Sequence, residues 1–204
     1  MQPNKIINLK NLILDIIFPS SCVICQTEGD YLCQDCKGTL EVLTSHKKYC
    51  GKNMDDLYFA LPYQDSSIKN LIKKFKNEPF VKELGKSLAS LIIDHFNLLD
   101  NKPDFSDFVL IPVPLEKRKL KWRGFNQAEE IGKELALSLK IPLISDALIR
   151  ESGVFLCQKP EKIKGKKILL IDDFFVTGST TEECSKILKE AGAEKIIGVV
   201  VARE

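Results

Sequence analysis

Residues 168 to 183 read ILLIDDFFVTGSTTEE: four aliphatic residues run into two adjacent carboxylates, Asp172 and Asp173, and then into a turn rich in small hydroxyl side chains. That order suits an apolar strand, an acid pair at its carboxyl end, a tight turn and a helix start. The free N–H groups and dipole of a helix N-terminus favour an anion, so the backbone from Val176 to Thr181 is shaped for a phosphate. Gly178 allows close approach of the main chain, and Thr177, Ser179, Thr180 and Thr181 add hydroxyl donors. Two carboxylates beside a bound phosphate would repel it unless they meet ribose hydroxyls or a divalent cation. A phosphorylated pentose with magnesium satisfies both halves. A nucleoside triphosphatase loop would need Gly, four residues and Gly-Lys-Ser/Thr, and this turn has no lysine. The acid pair of a response-regulator receiver lies near the start of its domain, whereas here one helix and one strand remain. The ordinary alternative is a strand–turn–helix capped by Thr and Ser.

A second segment, PVPLEKRKLKWRGF, sets Lys117, Arg118, Lys119, Lys121 and Arg123 against the single acid Glu116, directly after another strand end. Such density is costly without an anion, and Arg118 and Arg123 are the expected phosphate contacts because guanidinium offers paired donors. Trp122 either stacks or packs. Asn126 and Gln127 open the next helix, with helix capping and ligand contact both open for Asn126. Lys69, Lys73, Lys74 and Lys76 form another basic face. A solvated helix surface is the default for them, with contact to single-stranded DNA through Lys73, Lys74 and Lys76 as the alternative.

The chain has seven cysteines, five of them between Cys22 and Cys50. Cys22-x2-Cys25-x7-Cys33-x2-Cys36 makes two knuckles whose thiolates complete a tetrahedral zinc shell. A redox CxxC would begin a helix after a strand, which neither does in this reading. His46 and Cys50 lie just beyond and are read as a surface residue and a leftover thiol, either able to exchange into the shell. Cys157 and Cys184 read as small apolar fillers.

The elements that must position these groups follow from periodicity. Ile6, Leu9, Ile13, Ile16 and Ile17 mark an amphipathic helix stopped by Pro19, packing on the protein or lying on a membrane surface. Beyond about Met54 the texture alternates between apolar runs and amphipathic stretches, the signature of α/β units with a mostly parallel sheet. A strand near Tyr58 to Leu61 precedes two helices, one with Ile68, Leu71, Ile72 and Phe75 inward and one with Val81, Leu84, Leu88, Leu91 and Ile92, split near Pro79. FVLIPVP is a strand, KLKWRGFNQAEEIGKELALSLK a loop and then a helix, KKILLIDD a strand, STTEECSKILKEAGA a helix and EKIIGVVVA a strand. Three units result: a helix over 1–20, a zinc finger over 21–52 and a ligand-binding domain over 53–204. With 30 Lys plus Arg against 28 Asp plus Glu, the whole molecule does not announce a nucleic-acid binder, so any such surface is local. No apolar run is long enough to span a bilayer and no signal peptide is evident, so the expected location is cytoplasmic, with peripheral contact to the inner face of the membrane as an option.

The acid-pair segment resembles the 5-phosphoribosyl 1-pyrophosphate (PRPP) motif of type I phosphoribosyltransferases. An N-terminal helix ending in FP, the four-cysteine knuckle, IKNLIKKFK, IPVPLEKRKLKWRGFNQA and GKKILLIDDFFVTGST stand in the order of the ComF family of competence proteins, including ComFC-like members. The similarity covers nearly the whole chain, and RGFNQA beside the PRPP motif is its most specific element. It implies a type I phosphoribosyltransferase-like sheet flanked by helices, with a small N-terminal zinc-finger module. The basic segment would face the pyrophosphate half of PRPP. The function implied is natural transformation, supporting uptake of single-stranded DNA across the cytoplasmic membrane alongside the DNA-uptake machinery.

Three departures qualify that picture. A second Cys-x-x-Cys-Gly knuckle is reduced to KKYCG, leaving only Cys50 and disfavouring a second zinc ion. The segment from Ile149 to Lys166 is short, so a closing loop that excludes water is reduced. Val176 stands where purine-salvage relatives carry an acid, which disfavours purine transfer. Catalysis thus stays open: displacement of pyrophosphate at the anomeric carbon if the chain is active, a PRPP-holding module if it is not. The rival reading is a small-base phosphoribosyltransferase with no DNA role.

Overall fold

The computed structural model describes residues 20–77 and 81–204, so the expected N-terminal helix over 1–20 and the break near Pro79 lie outside the described residues. The sheet grows from four apolar strands in parallel register: β1 (Asp56–Pro62), β2 (Phe108–Pro112), β5 (Lys167–Ile171) and β7 (Lys195–Arg203), in the order β1-β7-β5-β2. A two-residue strand, β6 (Phe174–Phe175), pairs with the far end of β7. Side chains alternate across the sheet, as a period of two requires when both faces are covered. Leu110, Leu169, Ile171, Ile197 and Val199 face one core, while Val109, Ile111, Ile168, Leu170 and Val200 face the other.

Three helices cover the first face: α2 (Ser66–Lys76), α3 (Leu84–Leu98) and α5 (Gln127–Leu139). The inward residues of the first two are those that periodicity marks, Ile68, Leu71, Ile72 and Phe75 on α2 and Leu84, Leu88, Leu91 and Ile92 on α3. The second face is covered by α7 (Ser179–Glu190) and by a hairpin of β3 (Leu148–Glu151) and β4 (Val154–Cys157), followed by the short helix α6 (Pro160–Ile163). Cys184 is buried in that second core and Cys157 packs against it, consistent with their reading as apolar fillers.

Two segments differ from the sequence reading. KRKLKWR is not a loop: residues Lys117–Arg123 form a helix, α4, that stops at Gly124. It buries none of its residues, so no apolar stripe betrayed it. The hairpin was not expected either. Its turn places Ser152 at φ 49 and Gly153 at φ 84, the left-handed pair that a two-residue hairpin turn demands.

The cysteine module runs into the same core. Helix α1 (Gln34–Thr39) starts at Cys33, whose sulfur accepts from the Cys36 N–H. The second knuckle thus does begin a helix, although no named strand precedes it. Cys22, Leu32, Cys36 and Leu40 join the cluster that contains the α2 and α3 faces, and Lys37 pairs with Asp94 of α3 at 2.7 Å.

Candidate functional site: an acid pair beside a phosphate-sized turn

Asp172 and Asp173 leave the carboxyl end of β5, where ligands of open parallel sheets bind. β7 holds both residues by the backbone: the Asp172 N–H donates to the Val199 carbonyl and the Val201 N–H to the Asp173 carbonyl. The chain then turns through β6 to Gly178. Gly178 lies at φ 74, and a β-carbon there would run into the Phe175 ring, so both backbone and space demand glycine. The N-cap Gly178 has no side chain to offer and the Thr177 hydroxyl takes only the Ser179 N–H, at 3.4 Å, so the next N–H groups of α7 open onto a cradle of about 150 Å³ bounded by Asp172, Phe174 and the turn from Val176 to Thr181. Thr177 and Ser179 hydroxyls meet at 3.1 Å over that cradle. Thr181, in contrast, is buried and donates to the Gly178 carbonyl at 3.0 Å, bracing the turn.

A wider cleft of about 300 Å³ adjoins the cradle and shares Asp172, Phe174, Val176 and Thr180 with it. Its opposite wall is the basic segment. Because that segment is a helix, Lys119 and Arg123 fall four residues apart on one face and line the cleft, while Arg118, about a quarter-turn away, is exposed and does not. Trp122 is 58% exposed. Arg123 is held by Gln127, donating to its Oε1 at 2.6 Å, and the buried Gln127 amide donates in turn to the Phe75 carbonyl in the last turn of α2. Asn126 caps the helix, its Oδ1 accepting from Ala128 N–H and its amide donating to the Val113 carbonyl, and it also lines the cleft.

The three lysines grouped on α2 separate in space. Lys73 and Lys74 are exposed, but Lys76 turns into the cleft and pairs with Asp173 at 2.8 Å, with its ammonium over the Phe174 ring. Arg150 of the hairpin also lines the cleft, its guanidinium stacked on Phe155 at 4.7 Å and its Nε buried without a hydrogen-bond partner among the described residues. Lys76, Lys119 and Arg150 are cleft residues that sequence reasoning placed elsewhere or passed over. Only the i, i+4 spacing of Lys119 and Arg123 could have flagged one of them. Burial, and then the neighbouring Asp173 carboxylate, push the Asp172 carboxyl up to about 8.

The second centre is the cysteine cluster. The sulfurs of Cys22, Cys25, Cys33 and Cys36 lie within 4.8 Å of one another. Four thiols so close cannot all ionise without a cation. Hydrogen bonding from Thr27 lowers Cys25 to about 6, while Cys36 is raised, chiefly by Cys25. A thiolate-loving divalent ion resolves that conflict, and the donor set is that of structural zinc. Among the described residues no other group of this kind occurs. His46 instead meets Asp56 at 3.1 Å and stacks on Tyr58, and Cys50 is an exposed thiol outside the cluster.

Comparison with known proteins matches the family described as phosphoribosyl transferase domain to residues 115–204, and the double zinc ribbon domain to residues 13–63. Competence protein ComFC of Streptococcus pneumoniae is 24% identical over 208 residues, spanning 87% of this chain and 90% of its own. Competence protein ComFC of Bacillus subtilis is 33% identical over 97 residues, 42% of this chain and 40% of its own. The chain is thus similar to ComFC competence proteins and carries a match to the phosphoribosyl transferase domain. A purine phosphoribosyltransferase from Pyrococcus horikoshii aligns with 59% of the chain and 79% of its own at 20% identity, with a TM-score of 0.34. The ribbon match is named double, yet one four-cysteine cluster is present among the described residues, in keeping with the loss of the second knuckle. No helix among the described residues is long and apolar enough to cross a membrane.

Proposed function

We propose that the chain is a competence protein whose cleft binds PRPP, with the 5-phosphate in the turn from Val176 to Thr181 and the ribose beside Asp172 and Asp173. The observation that carries this reading is the junction of an open helix N-terminus with an acid pair and a basic wall in one continuous cleft. Arg123 and Lys119 face the pyrophosphate end, and Arg118 contacts it only at the rim. Magnesium, if bound, would neutralise the pyrophosphate, with Asp172 and Asp173 the carboxylates able to hold it. Residues 21–52 serve as a zinc-stiffened module ahead of the domain over 53–204. The exposed Lys73 and Lys74 carry the contact with single-stranded DNA in DNA uptake at the cytoplasmic side of the inner membrane.

Calorimetry with PRPP and magnesium tests the first part. Binding is expected, and its loss in Gly178→Ala; no heat from the wild type even at saturating dose removes the reading. Fluorescence anisotropy with a labelled single strand tests the second. Affinity is expected to fall steeply between about 50 and 200 mM salt and to weaken in Lys73→Ala/Lys74→Ala. Release of pyrophosphate from PRPP with one base out of a panel, without strand binding, favours a small-base transferase instead.

A further inference from the structure

An anion cleft carrying two adjacent carboxylates has an electrostatic problem, and the structure contains a cation placed to answer it. Lys76 is the last residue of α2, and its Nζ lies 2.8 Å from Asp173 Oδ1. The aspartate is almost wholly buried, and the lysine is about one-third exposed. The pair is therefore screened less than a surface ion pair and offsets one of the two carboxylates in the cleft's acid corner. Lys76 does not reach that position by chance of rotamer alone. The turn that carries it is tied to the far wall through the Phe75 carbonyl, which accepts from the buried Gln127 amide, whose oxygen accepts from Arg123. The Phe174 ring beneath the ammonium adds a cation–π contact.

Resting on the reading of the cleft as a phosphoribosyl site, we infer that Lys76 is its built-in counter-cation. It offsets Asp173, so that the phosphorylated-ribose end of a ligand binds without a divalent metal and magnesium is needed only for the pyrophosphate. Lys76 then belongs to the cleft rather than to a nucleic-acid face.

Ribose 5-phosphate, which lacks the pyrophosphate, separates the two roles. By calorimetry it is expected to bind the full-length wild type equally well with magnesium or with EDTA. Lys76→Met removes the cation in direct contact with Asp173, leaving that carboxylate to the electrostatic influence of Arg123, and the affinity should drop about tenfold or more in EDTA. With Asp173→Asn in place there is no Asp173 charge left to offset, so adding Lys76→Met to it should cost less than about threefold relative to Asp173→Asn alone. A loss of that pattern through misfolding is caught by the double variant, since removing a merely structural lysine would cost as much with Asp173→Asn in place as without it. Unchanged affinity in Lys76→Met, an equal loss with Asp173→Asn in place, or a strict magnesium requirement in the wild type overturns the inference while leaving the cleft assignment standing. A wild type that binds ribose 5-phosphate under neither condition overturns the cleft assignment itself, and this inference with it.

Discussion

Asp172 and Asp173 are neighbours in sequence and strangers in environment. Asp173 has a lysine partner, whereas burial and the adjacent carboxylate make ionisation of Asp172 unfavourable. A raised carboxyl pKa means the folded chain holds its proton more tightly than the unfolded one. The resulting stabilisation is full below about 4 and is lost as pH rises through about 8. Asp172→Asn should therefore flatten this part of the profile: its melting temperature, compared with wild type by calorimetry across that range, gains on wild type as pH rises. An identical pH dependence in both proteins would contradict the assignment. Gly178→Ala tests the turn: a left-handed backbone and the Phe175 ring both oppose a β-carbon, so a loss of about 1–3 kcal/mol in urea unfolding is expected. The acids, the glycine and the hydroxyls were legible at this scale because each carries its chemistry in its type. Arg118 and Arg123 were not separable, since which arginine faces inward depends on a helical phase that a segment burying none of its residues does not advertise.

At the scale of elements, the apolar strands and the helices α2, α3, α5 and α7 were readable because each has one face to bury, and the hydrophobic period records it. Helix α4 and the hairpin are held differently. The hairpin is held by the buried Leu148 and Phe155, too few residues to set a period, and Lys117 of α4 adds only a surface pair with Glu151 of β3. A less visible joint links α7 to the segment after the cysteine module. The Glu182 carboxylate accepts from the Asn53 N–H at 2.8 Å and from the Tyr49 hydroxyl at 3.4 Å. Gly51 passes so close that a β-carbon would collide with that carboxylate. Glu182→Ala strands the Asn53 donor, and urea unfolding should show a loss of about 1–3 kcal/mol with the zinc cluster intact. The same substitution should loosen the helix whose N-terminus forms the phosphate cradle, detectable as faster amide exchange in residues 179–183.

For the whole molecule, the cysteine module is a part of the fold and not an ornament on it. Cys22 is fully buried, and it and Cys36 pack into the core that α2 and α3 complete. Removing zinc with a chelator should therefore lower the melting temperature of the entire chain by roughly 5 °C or more, with a single transition. Two separated transitions would instead mean an independent finger. The spacing of the cysteines made the metal legible, but the sharing of a core between ribbon and sheet was not. Contacts between segments far apart in sequence leave no periodic signal in either one. Strand β7 shows what that non-local order entails. It is flanked by β1 and β5, and its backbone anchors both acids, yet it is synthesised after every other strand of the sheet. On the ribosome, β1 and β5 must therefore wait as unpaired apolar edges until β7 emerges, a window in which the nascent chain depends on chaperones and is open to aggregation.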